Sequence, residues 1–400
     1  MITLSLSREK IFRKIALAYA SLSRTRRKGN THKWLILTPT ALGSLGDEAM
    51  VKATIRTISD ERKDVELTVL IWDERDKELY KSLNVSFFRA TPFLSSPIGL
   101  KSGPKLIFKE LRRLVSCLDS AEKLIVIGAD VLDGRYSELR SLRRMLVAEM
   151  ANTRDLSTII CGFSFSDQAT PESRKALGRL NQGIGLSARD PRSAERASAI
   201  TKRPVQSCAD LAFLLDPSPP ECDDLKDIAS AIAEKRLLGD KILCVNINRQ
   251  AFGKDYDHDP RGITHAYASL LREICSQVST SFILIPHDYR GRHSDEVLLM
   301  KIFDDVSNDL DVYMPSSRLN AETAKYFAGL ADITLTGRMH FAIASLGSGK
   351  PAMIQDYQGK VEGLLALFDL ADLRIEKEAF EDAKELGLRI AHILGESDHL

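Results

Sequence analysis

The residues best suited to chemistry lie in one short stretch, Thr336-Gly-Arg338-Met-His340. The pattern predicts a buried strand that ends at Thr336, a turn at Gly337, and a helix with Arg338 and His340 in its first turn. A helix N-terminus attracts anions, and arginine adds a forked cation that suits phosphate or carboxylate. Histidine adds a proton donor that works near neutral pH. The stretch therefore predicts an enzyme site for a small anionic substrate.

A second candidate is the loop Gly43-Ser-Leu-Gly46-Asp47, which follows the first predicted strand and precedes a helix. The two glycines let the backbone turn tightly and approach a ligand. Asp47 either caps the helix or accepts a hydrogen bond from a sugar hydroxyl. The loop lacks the GxGxxG fingerprint of dinucleotide-binding proteins.

Four further candidates in the first half of the chain follow predicted strands. Asp130 and Asp133 are candidates to bind a cation or sugar hydroxyls, and an Asp-Gly turn is the structural alternative for Asp133. Too few oxygen ligands can be assembled for a metal site, so no metal is expected. Arg189 either binds an anion or pairs with an acid such as Asp210, and Asp190 binds substrate or caps the next helix.

The second half contributes two more candidates. His287, at the end of a predicted strand, is a candidate acid, base or hydroxyl-binding group, with a structural histidine as the alternative. Lys360, after the last predicted strand, either completes an anion site or is a solvated lysine at a helix start.

Short β-branched runs alternate with helical patterns along the chain. Strands are predicted over 34–37, 65–72, 85–88, 124–127, 158–161, 185–188, 242–247, 282–285, 311–313, 333–335 and 352–354. Helices are predicted over 47–58, 137–150, 171–180, 192–199, 263–277, 294–306, 321–329, 340–347 and 380–394. This alternation predicts an α/β protein with parallel sheets and helices on both faces.

The acidic, proline-rich run after Asp216 marks the break between two doubly wound, Rossmann-like domains that face a cleft. The expected domains are 34–216 and 241–375, joined by a linker region over 217–240. A basic segment over 1–33 precedes them, and a C-terminal helix over 376–400 follows them.

The composition is that of an ordinary globular enzyme, with 44% hydrophobic and 28% charged residues among 400. The formal net charge of +1 argues against nucleic-acid binding, which usually needs a strongly basic face. The six cysteines show no CxxC pair and are expected to be reduced core thiols of a cytoplasmic protein.

The N-terminal segment, residues 1–33, stands out for its charge. It carries nine Lys or Arg residues against the single acid Glu9, and Ile11, Phe12, Ile15 and Tyr19 recur at helical spacing. No apolar run is long enough for a transmembrane helix. The segment is either a basic amphipathic helix that contacts the inner face of an anionic membrane, or a tail that packs on the first domain.

Taken in order, these motifs resemble those of the polysaccharide pyruvyl transferase family over about residues 35–372. The matching pieces are Gly43-Ser-Leu-Gly46-Asp47, the Gly128 loop, Ser187-Ala-Arg189-Asp190-Pro191, Asp210-Leu-Ala-Phe213, Pro286-His287, Thr336-Gly-Arg338-Met-His340 and Tyr357-Gln-Gly-Lys360. The Gly128 loop is poorer in glycine than is usual in the family. The identity of the acceptor sugar therefore follows less directly from the resemblance than that of the donor.

The resemblance implies a glycosyltransferase-B-like architecture with the acceptor on the N-terminal domain and the donor on the C-terminal one. It implies transfer of a pyruvyl group from phosphoenolpyruvate (PEP) to two hydroxyls of a sugar, which forms a cyclic ketal and releases phosphate. His340, Arg338 and Arg189 are then the expected catalytic residues, and PEP is a donor substrate rather than a cofactor.

The expected acceptor is a sugar of a cell-surface polysaccharide or its lipid-linked precursor, and a second copy of the chain is a further candidate partner. Two rival functions stay open. One is a nucleotide-sugar-dependent glycosyltransferase of the same architecture, and the other is a non-catalytic glycan-binding relative.

Overall fold

The computed structural model describes residues 2–23, 32–40, 43–90, 93–94, 104–252, 260–291, 294–356 and 361–396. The chain divides into two compact units. Unit 1 comprises residues 1–42 and 50–211, and unit 2 comprises residues 43–49 and 212–400. The short segment 43–49 therefore belongs to unit 2, although it lies early in the sequence.

Unit 1 contains a seven-stranded sheet. Its strands are β1 (Lys33–Leu37), β2 (Glu66–Ile71), β3 (Ser86–Arg89), β4 (Lys123–Ala129), β5 (Ser157–Phe163), β6 (Ile184–Ala188) and β7 (Gln206–Ser207). The spatial order is β3-β2-β1-β4-β5-β6-β7, and all pairs are parallel. The order reverses between β1 and β4, and ligands of such sheets bind at the carboxyl ends of the strands beside this switch point.

Unit 2 contains a six-stranded sheet. Its strands are β8 (Lys241–Asn246), β9 (Thr280–Leu284), β10 (Val312–Tyr313), β11 (Ile333–Thr336), β12 (Ala352–Gln355) and β13 (Arg374–Ile375). Their order is β10-β9-β8-β11-β12-β13, again with parallel pairs throughout. The switch point lies between β8 and β11.

Helices flank both sheets. Those of the first half are α1 (Ile2–Leu22), α2 (Leu45–Glu61), α3 (Lys77–Tyr80), α4 (Pro104–Asp119), α5 (Glu138–Thr153), α6 (Pro171–Gly178) and α7 (Pro191–Thr201). Those of the second half are α8 (Asp223–Leu237), α9 (Pro260–Gln277), α10 (Glu296–Val306), α11 (Ala321–Leu330), α12 (Met339–Leu346), α13 (Val361–Ala366) and α14 (Ala383–Glu396).

The strands are apolar along most of their length because both faces of each sheet are covered. In β1, for example, Leu35, Ile36 and Leu37 have no exposed surface. Such continuous apolar runs are typical of parallel sheets, whereas half-exposed antiparallel strands alternate. The predicted fold class, two doubly wound Rossmann-like units, is confirmed.

Residues 2–22 of the N-terminal segment form the helix α1, which packs on α5 within unit 1. Phe12, Ala16 and Ala20 face the core of the unit, with no more than 6% of each side chain exposed. No helix in the described part of the chain is both long and apolar enough to cross a membrane.

The stretches predicted as linker and C-terminal helix both belong to unit 2. Residues 217–240 contain α8, and the Asp224 carboxylate accepts hydrogen bonds from the backbone N–H groups of Ser316 and Ser317. The C-terminal helix α14 packs against α9.

All six cysteines are free thiols, as expected, but they are not all in the core. Cys244 is buried, whereas Cys208 and Cys222 are exposed.

Candidate functional site

Arg338 lies at the switch point of the unit 2 sheet, directly after β11. The Asn248 side-chain amide donates to the Gly337 carbonyl over 2.8 Å, and the Thr336 hydroxyl accepts from the Arg338 N–H over 2.9 Å. A Cβ on Gly337 would lie 2.7 Å from that of Asn248, so glycine is required for the turn. Arg338 is the N-cap residue of α12, just before the first turn in which it was predicted, and His340 lies in that turn as predicted.

Two carboxylates hold the Arg338 guanidinium, whose side chain is 13% exposed. Its Nη2 donates to Asp295 Oδ1 over 2.6 Å, and its Nη1 lies 3.3 Å from Asp288 Oδ2. The other oxygen of Asp295 accepts from the Asn246 amide and from the backbone N–H groups of His287 and Asp288. Burial raises the pKa of Asp295, and Arg338 acts against that rise. Asp295 therefore joins Arg338 to the ends of β8 and β9.

The segment 43–49 pairs with the chain that follows β9. Ser44 and Asp288 form an antiparallel bridge, the Leu45 N–H donates to the His287 carbonyl over 3.1 Å, and the Tyr289 N–H donates to the Gly43 carbonyl over 2.7 Å. The glycine loop predicted as a ligand loop is thus fixed beside His287.

Both glycines of this loop allow side chains of unit 2 to approach closely. Gly43 has a φ of +121°, and a Cβ there would lie 2.6 Å from Cγ of Arg290. A Cβ on Gly46 would overlap the His340 ring. Because Gly46 has no side chain, the loop can lie directly against the ring of His340, the candidate proton donor. A ligand role for the two glycines remains a prediction.

Asp47 lies in the first turn of α2, which begins at Leu45, and so is not the N-cap residue that the sequence left open. Its carboxylate is 3.8 Å from Arg290, whose side chain is 42% exposed. Arg290 also pairs with Asp288 at 2.5 Å. Asp47 and Arg290 thus extend the charged network toward solvent.

His287 is buried, with its ring centre 5.4 Å from that of Phe341. Burial and the nearby His340, Arg338 and Arg290 hold the pKa of His287 well below its usual range. His287 is therefore neutral at neutral pH, so one ring nitrogen can donate a hydrogen bond and the other can accept one.

Unit 1 holds the second predicted group, centred on Arg189. Only 3% of its side chain is exposed, and its Nη1 donates to Asp210 Oδ2 over 2.9 Å. Of the two partners that the sequence left open for Arg189, the structure provides the intramolecular acid. Burial disfavours the charge, but Asp210, Asp130 and Asp190 together raise the pKa of Arg189.

The aspartates of unit 1 have defined local partners. The Asp190 carboxylate caps α7 by accepting from the Ser193 N–H over 2.7 Å, which is its structural alternative. Asp133 is buried and accepts from the Arg135 N–H within the predicted Asp-Gly turn. Asp130 follows β4 beside the switch point of the sheet and is partly exposed. Substrate binding by Asp130 and Asp190 remains a prediction.

Unit 2 thus brings together six of the predicted residues, namely Gly43, Gly46, Asp47, His287, Arg338 and His340. Unit 1 brings together Arg189, Asp190 and Asp130. Lys360 lies outside the described residues. Among the residues that the structure describes, no group of three or more His, Cys, Asp or Glu side chains is placed to hold a metal ion.

Sequence reasoning missed Arg290, Asp295 and Gln355. Arg290 and Asp295 flank the loop after β9, and charged loop residues are too common to single out. Gln355 ends the apolar strand β12 and is completely buried. Within the described structure, neither the oxygen nor the nitrogen of its amide has a hydrogen-bond partner. A polar residue at the end of an otherwise apolar strand was the signal available for Gln355.

The fold and the residues at its switch points define a glycosyltransferase-B-like protein of two doubly wound units. Solved structures with this fold include a protein of Listeria monocytogenes assigned as a UDP-N-acetylglucosamine 2-epimerase, at TM-score 0.60 and 11% identity over 92% of this chain and 89% of that one. The UDP-GlcNAc 2-epimerase of Neisseria meningitidis, bound to UDP-GlcNAc, matches at TM-score 0.55 and 12% identity over 92% of both chains.

These likenesses concern the fold alone. No curated protein sequence matches the chain significantly. The family is defined by a sequence model instead: the chain belongs to the polysaccharide pyruvyl transferase family, whose model matches residues 45–358. The resemblance noted from the motifs is thereby confirmed, and the chain is a transferase of polysaccharide metabolism.

Proposed function

We propose that the protein transfers the pyruvyl group of PEP to two hydroxyls of one sugar, which forms a cyclic ketal and releases inorganic phosphate. The observation that carries the proposal is the joint placement of Arg338 and His340 at the switch point of unit 2, within the region matched by the family model. A ligand is expected at this position of a doubly wound sheet.

Two guanidinium groups of unit 2 are candidates to bind an anionic donor. Arg338 and Arg290 supply two cations, and Asp295 sets the orientation of Arg338 through a 2.6 Å bond. PEP carries a phosphate and a carboxylate, so two guanidinium groups match its two anionic ends. Because Asp288 and Asp47 already pair with Arg290, PEP would compete with these carboxylates for the guanidinium.

The two histidines suit opposite roles. In the first step, a proton from His340 goes to the methylene carbon of PEP while a sugar hydroxyl adds to C2. In the second step, another hydroxyl of that sugar displaces phosphate from C2, which closes the ketal. His287 is uncharged at neutral pH because burial and neighbouring cations lower its pKa; this leaves a ring nitrogen free to accept a hydroxyl proton, although the same shift makes it a weaker base. Asp47 and Asp130 are the other candidates for this role.

The test is to incubate the purified protein with PEP and a panel of β-galactosides, glucosides and N-acetylmannosamine derivatives. We expect phosphate release with at least one acceptor, together with a mass gain of the acceptor equal to pyruvic acid minus water. Release of a nucleoside diphosphate from a nucleotide sugar, with no use of PEP, would instead identify a glycosyltransferase. The absence of both PEP-induced thermal stabilisation and product formation with any donor would identify a non-catalytic relative.

A second test uses Arg338→Lys. A lysine supplies a point charge but no fork, so we expect the KM for PEP to rise by about tenfold or more. Arg272→Lys is the control, because Arg272 pairs with Asp305 and Asp309 at the surface of the same unit and should leave the KM for PEP unchanged. Unchanged saturation by PEP in Arg338→Lys would contradict the assignment of Arg338 to the donor.

A further inference from the structure

The exposed side of α1 carries an apolar stripe that the core of unit 1 does not use. Its large members are Ile11, Ile15 and Leu22, which are 60%, 41% and 87% exposed. Ala18 is exposed between them. Positions 11, 15, 18 and 22 follow the spacing of one helical face, so these side chains form a continuous stripe rather than scattered contacts.

The helix cannot turn this stripe inward because its opposite side is already anchored. Phe12 packs on Phe93 at 5.7 Å between ring centres, and the Arg143 guanidinium lies 4.1 Å over the Phe12 ring. Glu9 accepts two hydrogen bonds of 2.8 Å from Arg143, and Arg13 pairs with Glu149 on α5. These contacts fix the rotation of α1 and keep the stripe on the outside of the unit.

Cations run alongside the stripe. Lys10 and Lys14 each precede an apolar member of the stripe by one residue, and both are exposed. Lys10 lies 3.5 Å from Glu172 and keeps 53% of its side chain exposed. The acid of this part of the helix, Glu9, is turned inward to Arg143. The outward surface therefore combines apolar side chains with positive charge.

We propose that this surface of α1 docks unit 1 on an anionic lipid bilayer, with Ile11, Ile15 and Leu22 entering the interfacial region and Lys10 and Lys14 meeting lipid phosphates. An apolar stripe beside lysines is the pattern of helices that lie in the plane of a membrane interface. The sequence after the helix adds four more basic residues to the N-terminal segment, Arg24, Arg26, Arg27 and Lys28. The proposal does not depend on the transferase reaction.

The experiment is co-sedimentation of the full-length protein with vesicles. One set is phosphatidylcholine alone, and the other contains about 30% phosphatidylglycerol to supply anionic headgroups. We expect binding to the anionic vesicles only, with loss of binding as salt is raised. The triple variant Ile11→Ser, Ile15→Ser, Leu22→Ser should bind about tenfold more weakly or worse, since the charge remains but the apolar insertion is lost.

The matched control replaces three apolar side chains of unit 2 that are similarly exposed, Leu237, Leu238 and Val297, at 87%, 79% and 57%. This control should bind vesicles like the wild type, and the circular dichroism of both variants should match it. Equal vesicle binding by the wild type and the α1 triple variant would overturn the proposal, as would no binding by the wild type. A wild-type dimer that the α1 triple variant converts to monomer, without vesicle binding, would identify the stripe as a self-association surface instead.

Discussion

The two units each place an arginine at the carboxyl end of a parallel strand, but they surround it differently. Arg189, after β6 of unit 1, is 3% exposed and faces Asp210, which is equally buried. Arg338, after β11 of unit 2, is 13% exposed and belongs to a network that continues through Asp288 to Arg290, which is 42% exposed. The first arrangement is closed, whereas the second reaches solvent.

The difference separates two uses of the same residue type. A buried ion pair such as Arg189–Asp210 is costly to break because either partner left alone is an uncompensated charge. In the Arg338 network, Asp288 is shared between two guanidinium groups, so an incoming anion can exchange with a carboxylate while both charges stay paired. We therefore expect changes in unit 1 to affect stability first, and changes in unit 2 to affect turnover first.

The largest expected effect concerns His340. Replacing it with glutamine, which cannot act as a general acid, should lower kcat by about 100- to 10,000-fold. Phosphate release from PEP under saturating acceptor measures this change. The thermal midpoint should stay close to that of the wild type. A variant with near wild-type turnover would remove His340 from the reaction.

Gly46 provides a more delicate test of the same position. Because a Cβ on Gly46 would overlap the His340 ring, Gly46→Ala should displace the ring and lower kcat as well. Gly395→Ala in α14 is the control, since a Cβ there would meet no atom within 4 Å, and it should leave kcat unchanged.

The next effect concerns the buried ion pair between Arg189 and Asp210 in unit 1. Asp210→Ala should lower the free energy of unfolding by about 3–5 kcal/mol, because the Arg189 charge is left buried without its partner. Both tryptophans, Trp34 and Trp72, lie in unit 1, so tryptophan fluorescence during urea titration follows the unfolding of that unit.

Asp64→Ala is the matched control within unit 1. Asp64 pairs with Arg62 at the surface, where both side chains are more than 40% exposed, so its loss should leave the urea midpoint unchanged. In unit 2, Asp47→Ala should cost no more than about 1 kcal/mol, since Arg290 is partly solvated. A small loss in Asp210→Ala would show that Arg189 finds another partner, and the contrast between the two arginines would disappear.

The sequence predicted most of the fold because long apolar runs specify buried parallel strands. The run predicted over 242–247 is β8 (Lys241–Asn246), shifted by one residue. The strands β7 and β13 were missed because each has only two residues and no apolar run of its own. The helix α4 was also missed, although Leu111, Leu114, Val115 and Leu118 are buried at helical spacing, so a signal was present.

The site was harder to predict because its members meet only through tertiary contacts. Arg338 and His340 were identified from their position between a strand and a helix, which is local information. Asp295 is recognisable only once Arg338, Asn246 and the backbone after β9 converge on it. The membership of residues 43–49 in unit 2 likewise depends on their pairing with the chain around His287.

A smaller effect concerns Gln355, which extends the comparison to a neutral group in unit 2. The β11–β12 register pairs Thr336 with Ile354, so Gln355 lies one residue further along, beside the turn that carries Arg338. Because its amide has no hydrogen-bond partner within the described structure, Gln355→Leu should raise the free energy of unfolding by about 1–3 kcal/mol. If the amide binds the donor, the KM for PEP should rise at the same time.

Hydrogen exchange of peptides from β8 and β11 measures this gain within unit 2 (the tryptophans report only on unit 1). Gln355→Glu is the control, since it keeps the shape but adds a buried charge, and it should be destabilised. Destabilisation of Gln355→Leu would contradict the prediction and would indicate that a bound water satisfies the amide in the free protein.

The smallest effect is a pH dependence that arises from His287. Above about pH 6.5, neither the folded nor the unfolded chain protonates this residue, so it does not change stability there. Below that pH, the unfolded chain binds a proton that the folded chain excludes, because burial and the cations around His287 lower its pKa. Stability should therefore fall by about 1.4 kcal/mol per pH unit from this group alone.

His287→Gln removes the contribution, so hydrogen exchange of unit 2 should show a flatter decline between about pH 6.5 and pH 5 in the variant. The corresponding profile for unit 1, followed by tryptophan fluorescence, should be the same in both proteins. Parallel unit 2 profiles would mean that His287 binds a proton as readily in the folded as in the unfolded chain, which would contradict its lowered pKa.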